Sequence, residues 1–229
     1  MKFPIYFSKK IAFSKDNKNN LSKVIVFIGR LSVALGIIVS LITVSTGLGS
    51  KKAIESRLAN FSGHISVKST RSNSSYNTSV LNKEGLKLNE IKNLEEVAGA
   101  QSYATVSGIL RTEDNFDGVI LKGVSKDFDA ERFNDFMISG EVPKFTEKGY
   151  NNQVILSEKI ANDLHLKTKD SIVAVFSKED QKLIYRKFEI SGIYKTDIKM
   201  IDDLFIIGDI NHVRKIQNMA NRSEEHTSE

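Results

Sequence analysis

The chain has 229 residues, 40% of them apolar and 27% charged, with two prolines and neither cysteine nor tryptophan. That composition supplies enough apolar side chain for one or two folded domains and excludes whole-chain disorder, a disulfide framework and a thiolate metal site. The formal charge of +5 is local, because residues 1–30 hold seven Lys or Arg against one acid while the remaining 199 residues hold 26 against 27. A dispersed basic surface of the kind that binds nucleic acid is therefore not expected.

Residues 1–23 read as a cytoplasmic, basic, amphipathic segment. Phe3, Phe7 and Ile11 recur every four residues with Lys9 and Lys10 interleaved, the composition of a helix lying among lipid headgroups. Residues 24–48 follow as a membrane helix. The eighteen residues from Leu31 to Leu48 carry no charge, and a helix over 24–48 would be about 37 Å long against a hydrocarbon core of about 30 Å. Arg30 lies near one end, where its stem can reach the interface. A buried core helix rarely runs this long without a charge. A cleaved signal peptide has a shorter basic region and a shorter apolar run. The Lys/Arg excess before the span places the N-terminus in the cytoplasm and residues from about 50 onward outside it. Gly36, Ser40, Thr43 and Gly47 recur at helical spacing within the span, a face suited to close approach of another membrane helix or to substrate access.

Residues 49–221 read as a stalk and an extracytoplasmic, periplasmic domain. Ile54, Leu58 and Phe61 continue the helical period through the stalk, Gly63 ends it, and residues 64–67 begin a strand. Residues 69–79 are polar and loop-like, and a helix is expected around 87–96. Strands are expected at 103–112 and 116–124, joined by Glu113, Asp114 and Asn115. A strand at 154–156 feeds a helix at 158–164 capped by Ser157. Strands at 172–176 and 183–194, joined by a turn at 179–181, precede one at 204–208, after which Asp209 caps a last helix through about 219. The mixed order implies an α+β class. A division into two lobes, around 62–125 and 150–208, fits the pattern, with no linker signal to fix a boundary.

The sequence holds no phosphate-binding loop, dinucleotide fingerprint, zinc-protease helix, nucleophile elbow or EF-hand pattern, so no catalytic, cofactor-binding or metal residue is assigned and the chain is not expected to be an enzyme. His64, His165 and His212 read as structural or solvated, and Asp202 and Asp203 as a solvated turn.

The order of features resembles the N-terminal half of a lipoprotein-releasing ABC transporter permease of the Lol type. The resemblance rests on Phe61-Ser62-Gly63-His64-Ile65, the stretch from Gly118 to Gly123, Leu156 to Asp170, and Gly192-Ile193-Tyr194-Lys195-Thr196, and it spans residues 1 to about 221. The type belongs to a wider superfamily that includes the macrolide-exporter and cell-division permeases. The resemblance implies one N-terminal membrane helix with a stalk and a mixed α+β periplasmic core domain of the macrolide-exporter permease type. It also implies residence in the bacterial inner membrane, a second permease subunit, a separate cytoplasmic ATP-binding subunit that uses the ATP, a periplasmic lipoprotein carrier, a lipoprotein substrate and contact with membrane lipid. Two positions depart from the family pattern: Asp197 stands where a glycine usually follows Tyr-x-Thr, and Lys169 stands for glycine in the turn at 166–170. A related exporter or cell-division permease is the first alternative, and a single-pass anchored scaffold or binding domain the second. Family members continue with three further membrane helices. Residues 222–229 are expected to be a non-native tail, because RSEEHTSE is what a common sequencing adapter would encode in this frame.

Overall fold

The computed structural model describes residues 3–13, 20–69, 77, 90–91, 93–146, 149–177 and 182–217. The chain divides into two compact units, Met1–Ser56 and Arg57–Glu229.

The first unit contains helix α1 (Phe3–Phe13) and most of helix α2 (Asn20–Ser62). α2 runs unbroken for 43 residues, roughly 64 Å at the standard rise. It contains an 18-residue window of mean hydropathy 2.5 of which none is buried within the protein, so by length and composition it can cross a membrane. The apolar run and the stalk are thus a single helix.

The second unit begins with the last residues of α2 and continues through strands β1 (Tyr103–Arg111) and β2 (Phe116–Val124), helix α3 (Ala130–Asn134), and strands β3 (Met137–Gly140) and β4 (Gln153–Ser157). Helix α4 (Glu158–Asp163), strands β5 (Ser171–Ser177) and β6 (Leu183–Tyr194), helix α5 (Lys199–Asp202), strand β7 (Phe205–Asp209) and helix α6 (Ile210–Ile216) follow. Ser157 caps α4 by accepting from the Ile160 N–H at 3.1 Å, and Asp209 caps α6 by accepting from the Asn211 N–H at 2.8 Å. Both satisfy backbone donors that a helix start leaves without partners.

The seven strands described form one sheet in the order β3-β6-β4-β7-β2-β1-β5. β5 also pairs with β6, Ser171 opposite Glu189 through Ser177 opposite Leu183, so the ring β6-β4-β7-β2-β1-β5 closes on itself. Closure removes the free edges of those six strands and leaves β3, paired to β6, outside the ring. Strands from both segments that the sequence could have assigned to separate lobes are woven into this one sheet. β4 and β7 lie in its middle, and alternate residues of each enter different cores: Val154, Leu156 and Ile206 join one cluster, Ile155 and Ile207 the other. That is why both read as continuous apolar runs rather than alternating ones. The first cluster fills the inside of the ring against α4 and α6. The second lies outside it and gathers Phe61 of α2, Val124, Phe133, Phe136, Phe145, Tyr194 and Ile201.

Three expectations are corrected. Residues 64–67 form no strand; Ile65 is 86% exposed and Val67 57%, so alternation there has no sheet to pack on. Asp202 is buried rather than solvated. Around 87–96, Glu90 and Ile91 are helical but 93–96 are turns. The turn at 179–181, the tail, and the 69–79 segment apart from residues 69 and 77 lie outside the described residues.

Both departures from the family pattern fall on left-handed backbone, with φ of 75° at Lys169 and 59° at Asp197. A side chain there costs about 1–2 kcal/mol relative to glycine, partly offset by glycine's freedom in the unfolded chain. Lys169 is exposed and its N–H, which donates to the Ile190 carbonyl at 2.7 Å, is retained in glycine. Lys169→Gly is therefore expected to raise stability by about 0.5–1 kcal/mol, seen as an upward shift in the thermal midpoint; an unchanged or lowered midpoint would contradict it.

Candidate functional site

The sequence-predicted site residues all fall in the first unit. Gly36, Ser40, Thr43 and Gly47 lie on one stripe of α2 and are exposed, and a Cβ added at Gly36 or Gly47 would meet nothing within 4 Å. The Ser40 and Thr43 hydroxyls donate to the carbonyls of Gly36 and Val39, each at 2.8 Å. Their polarity is thereby satisfied inside the helix, and what the stripe offers outward is small, smooth surface. Phe3 and Phe7 stack on α1 with centroids 6.1 Å apart, and both are exposed. Ile11 belongs to α1, and Arg30 is exposed on α2.

The second unit holds a site that the sequence reading did not select, built where α2 ends on the domain. A helix end leaves its last four carbonyls without intrahelical donors. Gly63, at φ 80°, turns the chain away in the left-handed conformation that ends many helices, and its N–H donates to the Ala59 carbonyl at 2.8 Å. The Phe61 carbonyl is satisfied from the domain by the Lys122 ammonium of β2, which also sits over the Phe61 ring at 4.0 Å and near the Tyr103 ring at 5.5 Å. A cation at a helix C-terminus and over aromatic faces is in favourable surroundings. Lys122 is nonetheless only 8% exposed and forms no ion pair among the described residues, and burial lowers its pKa from 10.5 to about 8.

The Phe61 ring is 6% exposed, with Phe205 edge-on at 5.5 Å and Tyr194 stacked at 6.3 Å. One turn earlier, Arg57 donates to the Thr196 carbonyl at 2.8 Å and pairs with the Asp197 carboxylate. The hydrogen bond from Arg57 holds Asp197 below its ordinary pKa. Lys195 continues the surface chain to Glu158 at 2.9 Å, and this partner raises the Lys195 pKa. Being exposed, these pairs set geometry more than they add stability.

Beneath them the loop is fixed by buried polar groups. The Thr196 N–H and hydroxyl both donate to Asp202 Oδ1, at 3.0 and 2.7 Å, and the Ser157 hydroxyl donates to the Asp202 carbonyl. Tyr194 is fully buried, its hydroxyl donates to the Phe205 carbonyl at 2.8 Å, and burial together with the Asp202 charge pushes its pKa well up. One signal for the site was present in the sequence: a lone lysine inside the apolar stretch from Val119 to Val124.

Elsewhere, His212 is buried, bonded to the Asn151 carbonyl at 3.1 Å and edge-on to Phe188, a packing role; burial lowers its pKa. A cleft of about 300 Å³ containing Ser102, Asp127 and Arg214 is lined mainly by polar groups, with Ile210 the one aliphatic side chain, unlike the mainly apolar walls of typical small-molecule sites. Among the described residues no group of three or more His, Asp or Glu could hold a metal ion, and the chain has no cysteine.

No curated protein matches the chain. Among solved structures, the extracellular domain of the noncanonic ABC-type transporter YknZ from Gram-positive bacteria aligns at 18% identity over 56% of this chain and 63% of its own, with a TM-score of 0.40. The periplasmic region of MacB from Actinobacillus actinomycetemcomitans aligns at 15% identity over 56% of this chain and 55% of its own, with a TM-score of 0.38. The chain therefore spans less than two thirds of either. A family model gives the decisive match: residues 30–227 fit the MacB-like periplasmic core domain, and the chain belongs to that family, within the broader MacB/FtsX-type superfamily of ABC-transporter permeases.

Proposed function

We propose that this chain is the N-terminal part of a permease subunit that extracts lipoproteins from the inner membrane and passes them to a periplasmic carrier. The topology behind this reading is an N-terminal membrane-spanning helix followed by a periplasmic-type domain. The observation that supports the permease part of this reading is the match of residues 30–227 to the MacB-like periplasmic core domain, together with an N-terminal helix of membrane-spanning length and composition. One helix cannot bound a transport path, because backbone exposed to lipid must be satisfied internally, so the proposal calls for further helices, and the family resemblance adds a second permease subunit. The stripe of Gly36, Ser40, Thr43 and Gly47 would pack against them or line the access route. Phe3, Phe7, Ile11 and Arg30 would hold the cytoplasmic N-terminus at the lipid interface. ATP would be used by a separate cytoplasmic subunit.

The lipoprotein assignment rests on the sequence resemblance, and its test is depletion of the full-length protein in its host. Nascent lipoproteins are expected to accumulate in the inner membrane, and an ATPase and a carrier are expected to co-purify from detergent. Normal lipoprotein distribution, with loss of drug or peptide efflux or of septation, would replace this reading with that of a related exporter or cell-division permease.

A further inference from the structure

We propose that the seating of the last turn of α2 is a proton-sensitive joint: with the Lys122 amine neutral, Arg57–Ser62 is held on the domain, and charging that amine loosens it. The inference goes beyond the transport reading and is independent of the cargo.

The geometry is unusual in pairing a fixed contact with a titrating one. Arg57 and Asp197 form an ordinary ion pair on the outside. Lys122, inside, donates to the Phe61 carbonyl between two aromatic rings, with no carboxylate partner among the described residues. A buried charge without a counter-ion is held against the pull of water. The neutral amine keeps an N–H for the Phe61 carbonyl and gives up the attraction of a cation to the helix end and the rings, but it also loses the burial cost, which is the larger, so the contact survives deprotonation and the penalty does not.

The other titratable groups around it leave the response to Lys122. On β1, the Tyr103 hydroxyl is bonded to the Ser66 hydroxyl at 2.6 Å. On β6, burial holds the Tyr194 phenol protonated throughout. Arg57 of α2 is paired to Asp197 after β6. Asp202 of α5 is bound to Thr196, and Asp209 at the end of β7 accepts from the Asn151 and Asn211 N–H groups. The nearest cross-strand residues, Thr105 on β1 and Ile207 on β7, carry no charge. Burial is the sole cause of the lowered Lys122 pKa.

The direction follows by linkage. The seated lysine titrates near 8 and a released one near 10.5, so protons favour release. Seating is strongest above about pH 10.5, weakens as pH falls toward 8, and is weakest and level below that.

The absence of cysteine allows a direct test in the full chain in detergent. Val124, 2% exposed in the same outer cluster as Phe61, is replaced by Val124→Cys; Val106, 1% exposed inside the ring, is replaced by Val106→Cys as a control. Thiol-labelling rates are divided by those of an unfolded peptide thiol at each pH. Protection at Val124→Cys is expected to rise about tenfold or more between pH 7 and pH 9.5, and that at Val106→Cys by much less. Adding Lys122→Met should make Val124→Cys protection high and level with pH. Lys122→Arg, which stays charged throughout, should make it low and level; it decides the matter should Lys122→Met fail to fold. Flat protection in the parent, an unchanged pH response in either Lys122 variant, or equal movement at Val106→Cys would overturn the joint.

Discussion

Phe61→Ala is expected to lower the stability of the second unit by about 3–4 kcal/mol, the largest effect of any single change at the site. The ring is 6% exposed and packs on Tyr194 and Phe205 while its face receives the Lys122 ammonium. Truncation removes the transfer free energy of the ring and leaves a cavity that β2, β7 and β6 are too constrained to fill. It also strips one aromatic face from a lysine that has no ion pair among the described residues. Phe61→Leu keeps most of the volume and should cost less than half as much. Guanidinium unfolding of the full chain in detergent, followed by the β signal of the domain, separates the two. A loss below about 1 kcal/mol for alanine would mean that the end of α2 does not help hold the domain together.

Asp202→Ala comes second, at about 3 kcal/mol. One carboxylate oxygen receives both the Thr196 N–H and the Thr196 hydroxyl, and Thr196 has no exposure to water. Alanine would leave two buried donors without an acceptor, the expensive half of a broken hydrogen bond. Asp202→Asn retains an acceptor oxygen and should cost about 1 kcal/mol. The same denaturation series reads both, and equal losses for the two variants would show that charge, not the acceptor, is what matters there. Loss of the Thr196 anchor should also free Asp197 and so weaken its pairing with Arg57, because the two loop residues are adjacent and share one backbone turn.

Much of the architecture could be read from local pattern. The apolar run in α2 needs no partner to declare itself, since eighteen uncharged residues in helical register can be satisfied by lipid alone. Ser157 and Asp209 announced the starts of α4 and α6 because capping involves neighbours two or three residues away. The alternation in β1, buried at Ala104, Val106 and Leu110, likewise reports one covered face. Where the reading failed, the deciding partner was distant. Residues 64–67 carry a strand-like pattern, yet no described strand pairs with them. Asp202 looked like a turn carboxylate until burial placed it beneath Thr196.

The junction at the end of α2 shows the same division most sharply. Lys122 is separated from Phe61 by sixty-one positions, and Arg57 from Asp197 by one hundred and forty; no window of sequence contains either pair. Composition and period determined a basic start, a membrane-length helix, an α+β domain and the lack of a catalytic motif, because charge, hydropathy and capping are properties of short stretches. Which lysine is buried, which carboxylate receives Arg57, and that Lys169 and Asp197 occupy left-handed backbone were decided only by the tertiary fold, since the pairing of β2 with β7, β7 with β4 and β4 with β6 brings remote strands to the helix end and sets how much water each group keeps.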